Sequence, residues 1–211
     1  KILSLVQLIS SLSKAERKKI SSVMDIQNNE SDYACLYKII EKDPYADPED
    51  IKFNFRSQRP KAAFNTAINY LFDSLLTVLS GLRIKHDSFF TMNYLLMHAK
   101  VLFEKSIYTE CFQVLEKIQQ MALRYEEFNM LLHAQKMELD FLLMLNFPDC
   151  SEQKLLFKQQ SLTDTLNKVR KIYQHASLYE LLKFRILNKV TARSKKHIED
   201  LNDLVVNEMS I

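Results

Sequence analysis

The sequence predicts an all-α chain of about nine or ten helices, folded as antiparallel helix pairs stacked one after another. Three observations carry this. The 211 residues include a single glycine, Gly81, whereas β-hairpins, tight βα turns and phosphate loops need residues that tolerate positive φ. The four prolines, Pro44, Pro48, Pro60 and Pro148, fall outside the long periodic stretches and so can punctuate helices without breaking them. Apolar residues recur every three or four positions through most of the chain, and at 47% of the total they suffice for a sizeable core.

The elements follow in order. Ser13-Lys-Ala-Glu16 has the form of a capping box, which predicts a helix from there to about Ile26. Asn28-Asn-Glu-Ser-Asp32 reads as a polar turn, and Tyr33, Leu36, Tyr37 and Ile40 repeat at helical spacing until Asp43-Pro44 stops them. Asp47-Pro48-Glu49-Asp50 restarts a short helix, with proline in its first turn and acids at its positive end. Arg59-Pro60 closes an N-terminal region, residues 1–60, of short helices. Residues 61–211 form the second region, which begins with a long helix from Lys61 to Arg83 whose Phe64, Ile68, Leu71, Leu75, Leu79 and Leu82 share one face. Gly81 there suits a C-cap or a tight helix crossing. Further helices are expected at 88–105, 108–127, 128–145, 151–175, 178–191 and 195–208, joined by breaks short enough to make neighbours antiparallel.

Within residues 92–123, Leu95, Ala99 and Leu102 fall on one helix and Tyr108, Cys111, Leu115 and Ile118 on the next. Small residues at 99 and 111 permit a close crossing, and the leucines fill the space beside it. This pairing resembles a tetratricopeptide repeat, whose period is about 34 residues. Leu95, Ala99 and Leu123 stand where that repeat carries tryptophan, glycine and proline. Leu12-Ser-Lys-Ala-Glu-Arg17, Tyr70-Leu-Phe-Asp-Ser-Leu-Leu76, Leu102-Phe-Glu-Lys-Ser-Ile-Tyr108 and Tyr125-Glu-Glu-Phe128 together resemble a bacterial family of tetratricopeptide-like proteins with no assigned activity. The resemblance implies a stacked helical solenoid continuing past Ile211, and it brings no catalytic residues.

Chemistry-bearing motifs are few. A Walker loop, a dinucleotide fingerprint and a nucleophile elbow each need at least two glycines. His86, His98, His133, His175 and His197 never form an i, i+4 pair, so neither a metal nor another cofactor is expected. Glu126 and Glu127 with Glu138 and Asp140 are read as solvated helix faces rather than an acid–base pair, and Cys111 as a buried thiol. Cys35, Cys111 and Cys150 lack any ligand or disulfide spacing, which points to a reducing compartment. No apolar run reaches the roughly 20 residues that span a bilayer, and the N-terminal stretch lacks a signal-peptide cleavage site before its charges. The expected location is cytoplasmic.

Charge is distributed unevenly. Lys168, Arg170, Lys171, Lys183, Arg185, Lys189, Arg193, Lys195 and Lys196 face one acid, Glu180, leaving a net charge of about +8 in a chain whose total is +3. These cations either decorate solvent faces of two helices and pair with the acids that follow, Glu199, Asp200, Asp203 and Glu208, or, with Tyr173, His175 and Tyr179 among them, form a candidate polyanion-binding set. A weaker basic cluster, Lys14, Arg17, Lys18 and Lys19, opens a three-helix stretch that a helix-turn-helix reading could cover, without a recognition-helix pattern. The start of the 88–105 helix and the end of the 128–145 helix are apolar almost all round, which predicts packing on both sides. The functional expectation is a non-enzymatic module for a protein or peptide partner, with nucleic acid second and no membrane partner.

Overall fold

The computed structural model describes residues 1–26 and 31–188, together with Glu199, Asn202, Asp203 and Val206. The described residues form nine helices and no strand: α1 (Ile2–Ser10), α2 (Lys14–Ile26), α3 (Asp32–Lys42), α4 (Pro48–Gln58), α5 (Phe64–Arg83), α6 (Ser88–Glu104), α7 (Tyr108–Arg124), α8 (Phe128–Met144) and α9 (Glu152–Leu187). They divide into two compact units, Lys1–Thr91 and Met92–Ile211.

In the first unit, side chains set where α2, α3 and α4 begin. The capping box closes in both directions: Glu16 N–H donates to Ser13 Oγ at 3.3 Å, and Ser13 N–H donates to Glu16 Oε2 at 2.8 Å. Ser31 caps α3 through the N–H of Ala34, and Asp47 caps α4 through that of Glu49 at 2.9 Å, ahead of Pro48. α1 was not anticipated; its Leu5 and Ile9, with Leu12 beyond it, point into the same core as Leu36, Ile40, Ile51 and Phe55. Arg17 ends α1 by donating Nη2 to Ile9 O at 3.0 Å and Nε to Leu12 O at 3.2 Å, with Glu41 3.9 Å away. α5 packs against α3 and α4 and completes this core with Ala67, Ile68, Leu71, Leu75 and Leu79. Arg59-Pro60 is thus a turn within the unit, reinforced by an Arg59–Asp32 ion pair at 3.9 Å.

Gly81 is neither a C-cap nor a crossing. It lies inside α5 with negative φ, and a Cβ added there would meet nothing within 4 Å. Among the described residues the positive-φ positions are Ser106, Glu126, Asn146, Phe147 and Asp149 instead.

Regularity marks the second unit. α6, α7 and α8 are each 17 residues long and begin at 88, 108 and 128, so a helix pair occupies 40 residues rather than about 34. The joints repeat one geometry. Ser106, Glu126 and Asn146 adopt φ near 60°, and the next N–H reaches five residues back: Ile107 to Leu102 O and Glu127 to Ala122 O at 2.9 Å, and Phe147 to Leu142 O at 2.8 Å. This is the Schellman closure that glycine normally supplies.

Leu115, Ile118, Leu131, Ala134 and Phe141 fill the core of this unit with Met92, Leu96, Ala99 and Cys111. The expectation that the apolar ends of α6 and α8 are covered on both sides does not hold: Phe89, Met97, Leu143 and Met144 are each more than half exposed. Two separate helices were expected over 151–175 and 178–191, yet α9 is continuous from Glu152 to Leu187. Nothing at 176–177 breaks it: Ala176 favours helix, and the Ser177 hydroxyl donates back to Tyr173 O at 2.9 Å, the arrangement by which a serine is held inside a helix. The helix expected at 195–208 lies largely outside the described residues.

Candidate functional site

The antiparallel pairing of α7, α8 and α9 fixes a cleft of about 840 Å³ on the second unit. Tyr108, Phe112, Leu142, Leu145 and Pro148 supply its apolar lining; Thr109, Gln113, Glu116, Gln119, Glu138, Lys154 and Lys158 supply its polar one. At its centre Glu138 on α8 is held from both sides. Lys158 Nζ of α9 lies 2.7 Å from Oε1, and Gln119 Nε2 of α7 donates to Oε2 at 3.0 Å. Both ionic side chains are largely buried, at 22% and 15% exposure. A pair this sheltered fixes register as well as adding Coulomb attraction, because losing either partner strands a poorly hydrated charge.

The strained segment after α8 contributes to the lining of the cleft. Asn146, Phe147 and Asp149 have φ of 58°, 56° and 51°, and Leu145, Pro148, Asp149 and Cys150 line the cleft. An aromatic residue in the left-handed region is a true outlier, and such strain persists where the surrounding structure over-determines it. Two turns along α9, Gln135 Nε2 donates to Ser161 Oγ at 3.0 Å, while its Oε1 is buried without a hydrogen-bond partner.

The residues singled out by the tetratricopeptide-like pattern meet at the α6–α7 crossing. Ala99 and Cys111 are fully buried, and the Cys111 thiol donates to Ala99 O at 3.2 Å. Burial pushes that thiol's pKa up, which keeps it protonated and unreactive. Leu115 and Ile118 are buried, Leu95 and Leu102 pack at the margin, and the Tyr108 ring sits 5.4 Å from Phe103. These positions hold the helices that frame the cleft; Tyr108 alone among them also lines it.

The basic set is dispersed. Lys168, Arg170, Lys171 and Lys183 are exposed and Arg185 half-buried on α9, pointing to different sides of the helix, while Lys189, Arg193, Lys195 and Lys196 lie outside the described residues. The Lys168 ammonium lies 5.4 Å from the Phe128 ring centre and that of Lys183 lies 5.7 Å from Tyr179. Of the N-terminal cluster, Arg17 is spent on α1.

Among the described residues no group of three or more His, Cys, Asp or Glu side chains could hold a metal ion, and no helix is long and apolar enough to cross a membrane. The acids considered for general acid–base work are not brought together: Glu138 pairs with Lys158, and Asp140 with Lys136. Cys35, Cys111 and Cys150 are all free thiols. Sequence reasoning missed the cleft because Gln119, Glu138 and Lys158 belong to three helices whose mutual register no linear spacing reveals. No family model, curated protein or solved structure matches the chain.

Proposed function

We propose that the chain is a non-enzymatic interaction module of the helical-repeat, tetratricopeptide-like class, acting in the cytoplasm. Its C-terminal unit receives a segment of a protein partner in the cleft over α8. The observation that carries this reading is the composition of that cleft: apolar side chains stand beside polar ones, with the Glu138–Lys158 ion pair among them, and the strained segment after α8 adds to the lining. Such a lining offers apolar contact and orientation, and its one buried carboxylate, Glu138, is fully engaged by Gln119 and Lys158. Three free cysteines suit a reducing compartment. The second reading, nucleic-acid association through α9, has the weaker support because the described cations radiate around the helix instead of converging.

A photo-crosslinking side chain placed at Gln113, inside the cleft, should give a discrete protein adduct in cells. The same group at Lys117, on α7 but outside the cleft, should not. Equal labelling from both positions, or none from either, removes the cleft as the binding site.

A further inference from the structure

α9 runs on past the helix that holds it. Its polar pairings with α8 go from Lys158–Glu138 through Ser161–Gln135 to Tyr173, whose hydroxyl oxygen accepts from Asn129 Nδ2 at 3.4 Å. α8 starts at Phe128, so residues 174–187 project beyond it by about 21 Å at 1.5 Å per residue. The attachment is largely polar. On the described part of α9 Thr165 and Val169 are buried, Val169 being the one buried apolar side chain, and no α9 side chain belongs to the cluster around Leu115 and Ile118.

A projecting helix that needed only solvent would be polar on its free sides. This one is not. In the projecting part Phe184 and Leu187 are 60% and 71% exposed, and alongside α8 Leu166 and Tyr173 are 52% and 58% exposed. In line with them at steps of three and four residues lie the half-buried Leu162 and Ala176, the buried Val169, and Glu180. That is the seam spacing by which two helices pack along their lengths. Arg170 borders the seam and Lys183 lies in the gap before Phe184. Described residues 168–188 carry five cations against Glu180, a net +4. Arg185 Nη1, on the adjoining face, is out of water with no hydrogen-bond partner.

Charge decides between occupants. A second copy of this stretch would set +4 against +4. A nucleic acid would use the cations but leave the seam's leucines and Phe184 in water. We infer that the exposed seam of α9 binds an amphipathic helix with acidic flanks from a partner protein. Its apolar stripe lies along Leu166, Tyr173, Phe184 and Leu187, and its carboxylates meet Arg170 and Lys183. This surface is separate from the cleft over α8.

The test uses the full chain and a fluorescent helical peptide of three heptads, with leucine at the seam positions and glutamate on the flanks. Its counterpart carries lysine in place of glutamate. Anisotropy titrations should show the acidic peptide bound at least about tenfold more tightly than the basic one, with the difference shrinking as salt rises. Phe184→Glu with Leu187→Glu should weaken binding by about tenfold or more, and Arg170→Glu by about threefold. Lys154→Glu, in the cleft, should leave it unchanged, so that failure here and failure of the cleft reading can be told apart. Equal affinity for the two peptides overturns the inference. So does full competition by a single-stranded oligonucleotide, or concentration-dependent self-association that the seam substitutions abolish. Should the double variant fail to fold by circular dichroism, the Arg170→Glu result decides alone.

Discussion

The two units of the molecule end their helices in different ways. In the first, the starts of α2, α3 and α4 are written in side chains: Ser13 with Glu16, Ser31, and Asp47. In the second, α7 and α8 have no side-chain cap, and one backbone turn is repeated at Ser106, Glu126 and Asn146. A side-chain cap satisfies the free amides of a short helix locally, whatever its neighbour does. A repeated Schellman turn instead sets a constant helix length and re-entry angle, which lets α6, α7 and α8 stack in register around Leu115, Ile118 and Ala134. The strain of a side chain at positive φ is the cost, and burial of each helix's apolar face offsets it.

If each unit rests on its own core, damage should stay local. Phe55 and Leu115 are both fully buried, one in each apolar cluster. Phe55→Ala should destabilise the first unit by about 3–5 kcal/mol and Leu115→Ala the second by about 2–5 kcal/mol. Hydrogen exchange resolved by helix checks this: the first substitution should speed exchange in α1–α5 and the second in α7–α9. Equal acceleration throughout by both variants would mean that the two clusters act as a single core, and the comparison would fall.

That comparison also explains what could be read in advance. Helix starts in the first unit were legible because a serine followed three residues later by glutamate, or an aspartate before proline, has one local physical meaning. The apolar faces of α3, α5 and α7 were legible from their period. The positions of the second unit's joints were legible too, but their left-handed geometry was not, because Ser106 and Glu126 carry no turn signature and are held in place by the helices on either side. α9 was divided too early because Ser177 reads as a boundary in one dimension and as an internal hydrogen bond in three. The cleft was invisible for a related reason. Glu138 meets Lys158 and Gln119 only once three helices have locked their register, so its residues looked like solvated faces.

The glycine offers a sharper contrast between the units. Gly81 sits in a helix, exposed and with open space where a side chain would go, while Ser106 and Glu126 occupy conformations that glycine prefers. Gly81→Ala should therefore stabilise the chain by about 1 kcal/mol, by removing unfolded-state freedom and favouring helix. Ser106→Gly and Glu126→Gly should each stabilise by about 0.5 kcal/mol, since relief of left-handed strain exceeds the entropy glycine adds to the unfolded chain. Denaturant midpoints measured at constant slope provide the check. Loss of stability on Glu126→Gly would show that the side chain, rather than the repeated backbone turn, holds that joint.

An effect of similar size tests the first unit's caps by their charge. The Ser13 backbone N–H and then its hydroxyl, both bonded at the start of α2, hold the Glu16 carboxyl below its ordinary pKa. A carboxyl depressed in the folded state contributes stability that is present above its unfolded pKa and is lost as pH falls through the folded value. At neutral pH Glu16→Gln should therefore cost about 0.3–1 kcal/mol, the range for a charge at an exposed helix N-terminus. The deficit should fade as acid protonates Glu16 in the parent, since a neutral glutamic acid and a glutamine then differ little at the cap. Ser13→Ala should behave otherwise. It removes the oxygen that accepts from the Glu16 N–H, at a cost of about 1 kcal/mol, and part of that loss should survive at a pH where the carboxyl is neutral. Urea melts of the parent and both variants at pH 7 and in acid separate the two contributions. A Glu16→Gln deficit that does not change with pH would mean that the capping box acts through hydrogen-bond geometry alone.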